Sequence, residues 1–385
     1  MTLALEIVFW GACALIVWTQ IAYGAALALA ARVLGRTRAG ELRAGEDALE
    51  AASLPSLSLI VAAHDEQEVI GAKVTNALAL DYPRGLLEVI VACDGCTDET
   101  AQRARAAGAD IVLELPRAGK IRAQDAAVER AGGELVAFSD ANALWDADAA
   151  RALVAVFADP RVGYACGQVI FSGDGSNQEG VYWRYELGLR ELESRLCSIT
   201  AGNGAIYATP RERYLVVDPI MGHDLSLPFN MVKRGLRAVY VPAARAREKM
   251  VPSLGGEYSR KRRMMSHTWP IVVRGGMLSP RGYPPAYALM IFSHRVLRYS
   301  TPVLHVIALA GNVALVALGA GTLYEVTLGL QLALLAGAAL AGVAHLRVLL
   351  MARYYVLTTA SSAAGLWDWL RHGTPAWWEA AEGTR

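Results

Sequence analysis

A run of 25 residues without a charged side chain, from Ile7 to Ala31, constrains this chain more than any other feature. A stretch of that length can cross the hydrocarbon core of a bilayer as a tilted helix. No basic residue precedes the run and no small-residue cleavage pattern ends it, so we expect a retained anchor rather than a cleaved signal. Several arginines follow the run, beginning with Arg32. The positive-inside rule therefore predicts that the chain after Arg32 begins in the cytoplasm.

Two further uncharged runs lie near the other end of the chain, from Tyr299 to Tyr324 and from Val326 to Leu346. Each is long enough to span a bilayer, and Glu325 between them predicts a short turn on the outer face. A third run, from Tyr354 to Trp367, has only 14 residues. It is compatible with a third span or with an interfacial or re-entrant segment, and the sequence does not decide between them.

The segment before these runs is strongly basic. From Arg260 to Arg298 there are eight Lys or Arg residues and no Asp or Glu, interleaved with apolar residues such as Met265 and Trp269. That pattern is typical of amphipathic helices on an anionic leaflet, and it argues against nucleic acid as the partner.

Five cysteines are scattered along the chain, and two of them have the spacing Cys93-Asp-Gly-Cys96. No second close pair completes a four-ligand zinc site. Because cytoplasmic thiols stay reduced, we expect neither a structural metal nor a disulfide at this pair.

Between the membrane segments, short apolar runs alternate with helical patterns. The strand candidates are Leu57–Ala63, Leu87–Cys93, Ile111–Leu113 and Glu134–Phe138, and the helix candidates between them are Gln67–Leu80, Thr97–Ala107 and Ile121–Ala131. This βαβαβαβ order predicts an α/β fold with a mostly parallel sheet covered on both faces. Right-handed crossovers then place the strand ends on one edge. No Gly-x-Gly-x-x-Gly turn follows the first strand, which argues against a nicotinamide-binding enzyme.

Polar residues follow three of these strands, in the segments His64-Asp-Glu66, Asp94-Gly-Cys-Thr-Asp98 and Asp140-Ala-Asn142. Carboxylates at neighbouring strand ends repel one another unless a cation or a set of donors lies between them. Asp140 and Asn142 offer the hard oxygen ligands that Mg²⁺ or Mn²⁺ accepts. Ligands of open α/β sheets gather beyond the carboxyl ends of strands, so a metal and diphosphate site is predicted here. The alternative is that these residues only form turns.

In this order and at these spacings, the motifs resemble those of family 2 glycosyltransferases of the membrane-embedded, cellulose-synthase-like group, from Ser56 to about Tyr299. The resemblance implies an α/β fold with a nucleotide-sugar-binding domain of GT-A type, flanked by transmembrane and interfacial helices. It also implies which residues contact the nucleotide or the donor: Ala63, Glu66, Asp94, Lys120, Asp140, Arg260 and Arg263. The metal, Mg²⁺ or Mn²⁺, is expected on Asp140 and Asn142, where the family has Asp-x-Asp.

The resemblance also divides the chain into segments. These are an N-terminal transmembrane anchor (1–34), a cytoplasmic linker (35–55), a GT-A catalytic domain (56–250), amphipathic interfacial helices with an Arg-x-x-Arg motif (251–298), two or three C-terminal transmembrane helices (299–367) and a Trp-rich tail (368–385).

The second half of the chain resembles the acceptor side of the family's site. Gly202, Asn203 and Gly204 match a strand of small residues that lets the backbone approach donor and acceptor closely. Asp224 matches the general base, which removes a proton from the acceptor hydroxyl. Without the resemblance, Asp224 could instead cap the helix that follows it. His223 stands where the family has an acid, and it could tune the pKa of Asp224, lie against the acceptor or be inert.

The last motif, Arg260-Lys-Arg-Arg263-Met264, resembles the family's Gln/Arg-x-x-Arg-Trp. Guanidinium groups can stabilise the charge that develops on a leaving diphosphate. Contact with lipid headgroups is the alternative, which we expect for Lys261 and Arg262. Met264 replaces the tryptophan that lies under the acceptor sugar in relatives, which favours a different or lipid-linked acceptor over a growing polysaccharide.

The sequence therefore predicts an inverting, metal-dependent glycosyltransferase, integral to the cell (inner) membrane, with its catalytic domain in the cytoplasm. By resemblance the donor is a UDP-sugar, and the expected acceptor is a hydroxyl of a lipid or lipid-linked molecule. One alternative is a processive synthase of a β-linked polysaccharide. Another is a catalytically inactive nucleotide-sugar-binding partner in a membrane assembly, suggested by His223 and Asn142 at positions where the family has acids.

Overall fold

A computed structural model of the chain describes residues 2–34, 54–172, 177–249, 254–344 and 346–377. The predicted cytoplasmic linker, 35–55, lies almost wholly outside these residues, as does the end of the predicted Trp-rich tail. The described residues form one α/β domain with long helices at both ends of the chain.

The N-terminal apolar run forms one long helix, α1, from Thr2 to Leu34, with a π-helical turn at Trp18–Ala22. Its length and composition make it a candidate membrane span, which confirms the N-terminal apolar helix expected from the sequence. The second half of α1 packs on the domain, because the Tyr185 hydroxyl donates to the Gln20 carbonyl oxygen at 3.0 Å.

Four parallel strands form the first half of an eight-stranded sheet, in the spatial order β3-β2-β1-β4. They are β1 (Leu57–Ala63), β2 (Leu87–Asp94), β3 (Ile111–Leu115) and β4 (Leu135–Asp140), joined by the helices α2 (Ile70–Leu78), α3 (Thr100–Ala106) and α4 (Lys120–Arg130). The four predicted strands and three predicted helices are thus all present, with boundaries that differ by at most three residues.

Successive residues of the central strand pack on opposite faces of the sheet. Ile60 belongs to a buried cluster with Ala123 of α4, whereas Val61 belongs to another with Ile70 and Val74 of α2. Helices therefore cover both faces of β1, which is why its sequence is continuously apolar instead of alternating.

The second half of the sheet is mixed. Its strands are β5 (Leu144–Trp145), β6 (Val162–Ser172), β7 (Tyr207–Pro210) and β8 (Arg237–Lys249), and its helices are α5 (Ala149–Ala155), α6 (Asn177–Leu196) and α7 (His223–Lys233). Strand β7 runs antiparallel to β4 and β6, while β6 and β8 are parallel. The segment 201–206, which we expected to form a strand, is a loop that leads into β7.

The C-terminal helices are α8 (Leu254–Val273), α9 (Pro285–Tyr299), α10 (Thr301–Ala317), α11 (Thr322–Leu340) and α12 (Arg347–His372). Helix α11 is a second candidate span, and α9 with α10, bent by 65° at their junction, would be a third if counted together. Glu325 lies in the first turn of α11, so the turn predicted at this residue was misplaced. The chain turns earlier, where Gly319 (φ 65°) and Gly321 (φ 119°) adopt conformations that side chains disfavour.

Helix α12 contains the third uncharged run and packs along α8. The Trp269 indole N–H donates to the Ser362 carbonyl oxygen at 3.2 Å, and the absence of a side chain at Gly365 brings the backbone of α12 against Met265. The last helix of the chain is therefore fixed to the basic helix that precedes the membrane segments.

Candidate active site

The end of β2 holds the start of α4. Asp94 is the last residue of β2 and is buried, and its carboxylate accepts the backbone N–H groups of Ala118 at 2.6 Å and Gly119 at 2.9 and 3.0 Å. Gly119 has φ 98°, and a Cβ there would lie 2.2 Å from the Ala376 carbonyl oxygen. Glycine is therefore required by both its conformation and the C-terminal segment beside it. These contacts place the next residue, Lys120, at the carboxyl edge of the sheet.

Lys120 and Asp140 form an ion pair at this edge. Asp140 is the last residue of β4 and lies beside Ala62 of β1 in the parallel register. A Cβ on Gly204 would be 3.3 Å from the Lys120 ammonium nitrogen and 3.7 Å from an Asp140 carboxylate oxygen. The small residue at position 204 thus keeps this cleft open, which agrees with the close approach expected there.

Three carboxylates act on Lys120. Burial lowers the pKa of its ammonium group, but the charges of Asp140, Asp224 and Glu248 outweigh burial and raise the pKa above its usual value. Lys120 therefore remains a cation in a cleft of carboxylates, where it can bind the phosphates of a nucleotide.

The residues at this edge fit a divalent cation. Asp140 has a side chain that is 32% exposed, and Asn142 is half-buried in the turn that follows β4. Glu248, near the end of β8, has a buried Oε1 without a hydrogen-bond partner among the described residues. Hard oxygen donors of these types suit Mg²⁺ or Mn²⁺.

Asp224 lies in the first turn of α7, but it does not cap that helix. The N-cap residue is Gly222, which has no side chain to cap the helix. A Cβ at this position would lie 2.6 Å from Asp224 Oδ1. The Asp224 carbonyl oxygen accepts the Gly202 N–H at 2.7 Å, which ties α7 to the loop before β7. Capping therefore does not account for Asp224, and its role as general base stays a prediction.

His223 does not face the cleft, contrary to the acceptor contact we considered. Its ring is buried, with Nδ1 2.9 Å from the Tyr207 hydroxyl and Nε2 3.2 Å from the Tyr214 hydroxyl. Burial, and then the positive charge of Lys120, lower its pKa to about 3, so the ring is neutral at pH 7. His223 packs in an aromatic cluster because Phe138 and both tyrosines surround it.

Two other residues that we expected to contact the acceptor, Asn203 and Gly202, instead make contacts within the protein. The Asn203 side chain donates to the Gly167 carbonyl oxygen at 2.6 Å and accepts the Ile206 N–H at 2.9 Å. A Cβ on Gly202 would lie 2.1 Å from the Tyr164 hydroxyl oxygen, so the close approach there involves a buried tyrosine and not a ligand. Of the three residues, only Gly204 borders the cleft.

The donor-side residues at the other strand ends are held by neighbouring turns. Ala63, the last residue of β1, is buried, and its carbonyl oxygen lies 3.4 Å from Cys96 Sγ. The Glu66 N–H donates to the Thr100 hydroxyl at 2.8 Å. All five cysteines are free thiols, including Cys93 and Cys96.

The four basic residues at the start of α8 have different partners. Arg260 acts electrostatically on Glu248 and donates to the sulfur of the half-exposed Met264 at 3.5 Å. We expected Lys261 and Arg262 to touch lipid headgroups; both contact α12, and the lipid contact stays a prediction. The Lys261 ammonium donates to the Tyr354 hydroxyl at 2.6 Å, and Arg262 pairs with Asp368 at 2.6 and 2.7 Å. The role of Arg263 stays a prediction.

Two charged residues at the carboxyl edge of the sheet, Glu248 and Lys73, were not predicted from the sequence. Glu248 lies in a long strand outside every motif, so no sequence signal pointed to it. Lys73 is fully buried, and its ammonium donates to the Ala143 carbonyl oxygen at 2.6 Å. Its signal was available, because Lys73 shares the apolar face of α2 with Ile70, Val74 and Ala77. Burial lowers the pKa of Lys73 to about 7, although the carboxylates of Asp140 and Glu248 oppose that shift.

The chain is similar to known proteins in sequence and in fold. A family described as "Glycosyltransferase like family 2" matches residues 55–266. An N-acetylglucosaminyltransferase of Rhizobium sp. (strain N33) is 26% identical over 241 residues, which cover 57% of this chain and 53% of that protein. An N-acetylglucosaminyltransferase of Rhizobium leguminosarum bv. trifolii is 31% identical over 154 residues, which cover 38% of this chain and 84% of that protein. The match thus spans little more than half of the first relative.

One solved structure resembles this chain over nearly its whole length. The mannosyltransferase PcManGT from Pyrobaculum calidifontis, in complex with GDP-Man and Mn²⁺, has a TM-score of 0.65 and 25% identity, covering 91% of this chain and 98% of that one. The GT-A type of fold predicted from the sequence is therefore confirmed. Because the family match covers more than half of the residues, this chain belongs to the family described as glycosyltransferase like family 2.

Proposed function

We propose that this protein moves a sugar, with inversion, from a nucleotide-sugar donor to a hydroxyl of a lipid or lipid-linked acceptor at the cytoplasmic face of the membrane. The observation that carries the proposal is the edge of the sheet where Lys120 pairs with Asp140 and is also acted on by the charge of Asp224. The cleft belongs to a domain that packs directly on a candidate membrane helix.

In this proposal each residue of the cleft has a separate task. Lys120 binds the donor diphosphate, which its positive charge attracts, and Asp140 with Asn142 holds the divalent cation. The cation, when bound, offsets negative charge on the diphosphate. Asp224 accepts the proton of the acceptor hydroxyl, which then attacks the anomeric carbon from the face opposite the diphosphate.

The leaving diphosphate needs further positive charge as it departs. Arg260 lies near enough to Glu248 to act on its carboxylate, so its guanidinium group belongs to the same edge of the sheet. We propose that Arg260 and Arg263 stabilise the diphosphate where its charge develops. Removal of a single such donor typically costs about 10²- to 10³-fold in rate.

A lipid-linked acceptor fits the surroundings of the cleft better than a polymer. Helix α8, which carries Arg260, is fixed to α12 by contacts of Lys261, Arg262 and Trp269, and it leads into the C-terminal membrane segments. Met264 is half-exposed beside Arg260, where the family's tryptophan would lie under an acceptor sugar. This part of the site therefore offers an apolar surface in place of an aromatic platform for a sugar ring.

The donor is proposed to be a UDP-sugar. The rhizobial relatives named as N-acetylglucosaminyltransferases support an N-acetylglucosamine donor, whereas PcManGT was solved with GDP-Man. A panel of UDP- and GDP-sugars, incubated with the detergent-solubilised protein and a native lipid extract, separates these donors when the products are identified by mass. Long chains formed in single encounters would instead support a processive synthase.

Asp224→Asn tests the mechanism, with Asp218→Asn as its control. Asp218 is exposed, and its carboxylate accepts the Ile220 N–H at 3.1 Å. We expect Asp224→Asn to lower the transfer rate by about 10²- to 10⁴-fold, the usual contribution of a general base, while UDP binding is kept. Asp218→Asn should transfer at the wild-type rate. Unchanged turnover in Asp224→Asn would remove Asp224 from the mechanism.

A further inference from the structure

Glu248, on strand β8, lies at the edge of the sheet where the divalent cation is predicted to bind. It pairs with Phe171 of β6 and directly follows Arg247, which pairs with Leu144 of β5. Strand β5 begins only four residues after Asp140, so this pairing brings the end of β8 beside the turn that contains Asn142. Lys73, which donates to the Ala143 carbonyl oxygen, supports the same turn from behind.

The carboxylate of Glu248 is poorly satisfied in this position. Its Oε1 is buried and lacks a hydrogen-bond partner among the described residues, although buried polar atoms nearly always have one. Glu248 lies close enough to Asp140 for the two carboxylates to repel each other. A buried carboxylate oxygen without a partner suits a cation ligand, because a bound cation would satisfy it and would offset that repulsion.

Asn142 leaves the predicted metal site with one negative charge fewer than an Asp-x-Asp sequence would give it. It offers one neutral carbonyl oxygen where an Asp-x-Asp sequence would offer a second negative charge. Affinity of oxygen sites for divalent cations depends on the number of charged ligands. With Asp140 and Asn142 alone, the predicted cation would have a single anionic protein ligand.

We propose that Glu248 supplies the second carboxylate ligand of the divalent cation, in place of the charge that Asn142 lacks. The inference rests on the proposed function, since it assigns a further ligand to the same metal site. A role limited to pairing with Arg260 and Lys73 is the competing explanation. That role predicts no effect of Glu248 on metal affinity, and the two explanations therefore differ in a measurable quantity.

The experiment measures Mn²⁺ binding to the full chain in detergent, with saturating UDP, from the electron paramagnetic resonance signal of free Mn²⁺. We expect Glu248→Gln to weaken Mn²⁺ binding by about 10- to 100-fold, the cost typical of losing even an outer partner of a metal site. Glu114→Gln is the control, because Glu114 is an exposed strand glutamate paired with Arg105 at the far edge of the sheet. It should bind Mn²⁺ like the wild type.

A second substitution that restores the lost negative charge distinguishes loss of a metal ligand from misfolding of the variant. Adding Asn142→Asp to Glu248→Gln should restore most of the lost affinity, whereas a purely structural role of Glu248 predicts no rescue. In EDTA, Glu248→Gln should melt at or above the wild-type temperature, because an amide removes the like charge beside Asp140. A supporting result needs both the loss and the rescue.

Two outcomes overturn the proposal in distinguishable ways. If the wild type binds Mn²⁺ and Glu248→Gln binds it equally well, Glu248 is no ligand and the proposed function is unaffected. If the wild type does not bind Mn²⁺ at all in the presence of UDP, the metal-dependent function fails together with this ligand assignment.

Discussion

Glu193 offers the sharpest test of how the α/β domain is joined to the N-terminal helix α1. It is fully buried in α6, and its two oxygens accept four hydrogen bonds. Oε1 accepts from the Tyr23 hydroxyl of α1 at 2.7 Å and from His294 of α9 at 2.6 Å. Oε2 accepts from the Thr200 N–H at 3.0 Å and its hydroxyl at 2.9 Å. One carboxylate thus joins the anchor, α9 and the loop before β7.

Glu193→Gln should destabilise the protein by about 3 kcal/mol at neutral pH. Burial alone would raise the pKa of Glu193, but interaction with His294, then Arg295 and Tyr23, lowers it to about 2 from 4.5. At about 1.4 kcal/mol for each tenfold change in proton affinity, that difference corresponds to about 3 kcal/mol of stability. The usual cost of breaking a buried pair by removing one partner, about 3–5 kcal/mol, is of the same size.

The pH dependence of this loss has a definite sign. A carboxyl whose pKa is lower in the folded protein stabilises it fully above its unfolded pKa, and loses that contribution as the pH falls through the folded value. The difference between wild type and Glu193→Gln should therefore be constant above pH 4.5 and shrink between pH 4.5 and about 2.

The assay is chemical denaturation in detergent micelles, with unfolding followed by circular dichroism at several pH values. Glu191→Gln is the matched control, since Glu191 lies two residues away on α6 and is exposed. Its change in unfolding free energy should stay within about 0.5 kcal/mol, as is usual for surface substitutions. Equal unfolding free energies of Glu193→Gln and Glu191→Gln would refute the reasoning. So would a stability difference between wild type and Glu193→Gln that does not shrink below pH 4.5.

Two further predictions concern close packing around the cleft. Gly119→Ala should destabilise the protein more than Gly108→Ala: both sites have positive φ (98° and 94°), but only at Gly119 would Cβ meet a backbone oxygen, that of Ala376 at 2.2 Å. Comparing their unfolding free energies isolates this clash, and faster proteolysis of the C-terminal segment in Gly119→Ala alone would locate it; equal losses would contradict it. Tyr164→Phe should leave stability unchanged or raise it by about 1 kcal/mol, because the Tyr164 hydroxyl is buried without a hydrogen-bond partner among the described residues. A clear loss of thermal stability in Tyr164→Phe would show that this hydroxyl has a partner, such as a water molecule.

Much of the fold could be predicted from local sequence patterns. Strand β1 was predicted at Leu57–Ala63, as the structure has it, because a strand buried on both faces is continuously apolar and bounded by polar turns. The N-terminal span was equally clear, since its uncharged run has no other stable environment than a bilayer or a core. Strands β6 and β8 were not predicted. In β8 the mixture of arginines and apolar residues has no clean period.

The candidate site was likewise predictable only in part. The ends of β2 and β4 placed Asp94 and Asp140 at one edge from the order of the elements, and the structure adds the Lys120 contact. The acceptor side was less predictable. Its small residues, including Gly202, serve internal contacts that sequence spacing does not distinguish from contacts with a ligand.

The sequence by itself determined that this chain has an N-terminal apolar helix long enough to span a membrane, a parallel α/β half and polar residues at the carboxyl edge of its strands, because those properties follow from hydrophobic runs and their order along the chain. Only the tertiary structure decided which distant side chains join them. The approach of Glu248 to Asp140 and the burial of His223 both depend on how β8 and α7 pack against the first half. Such contacts join residues that are far apart in the chain, and no local pattern records them.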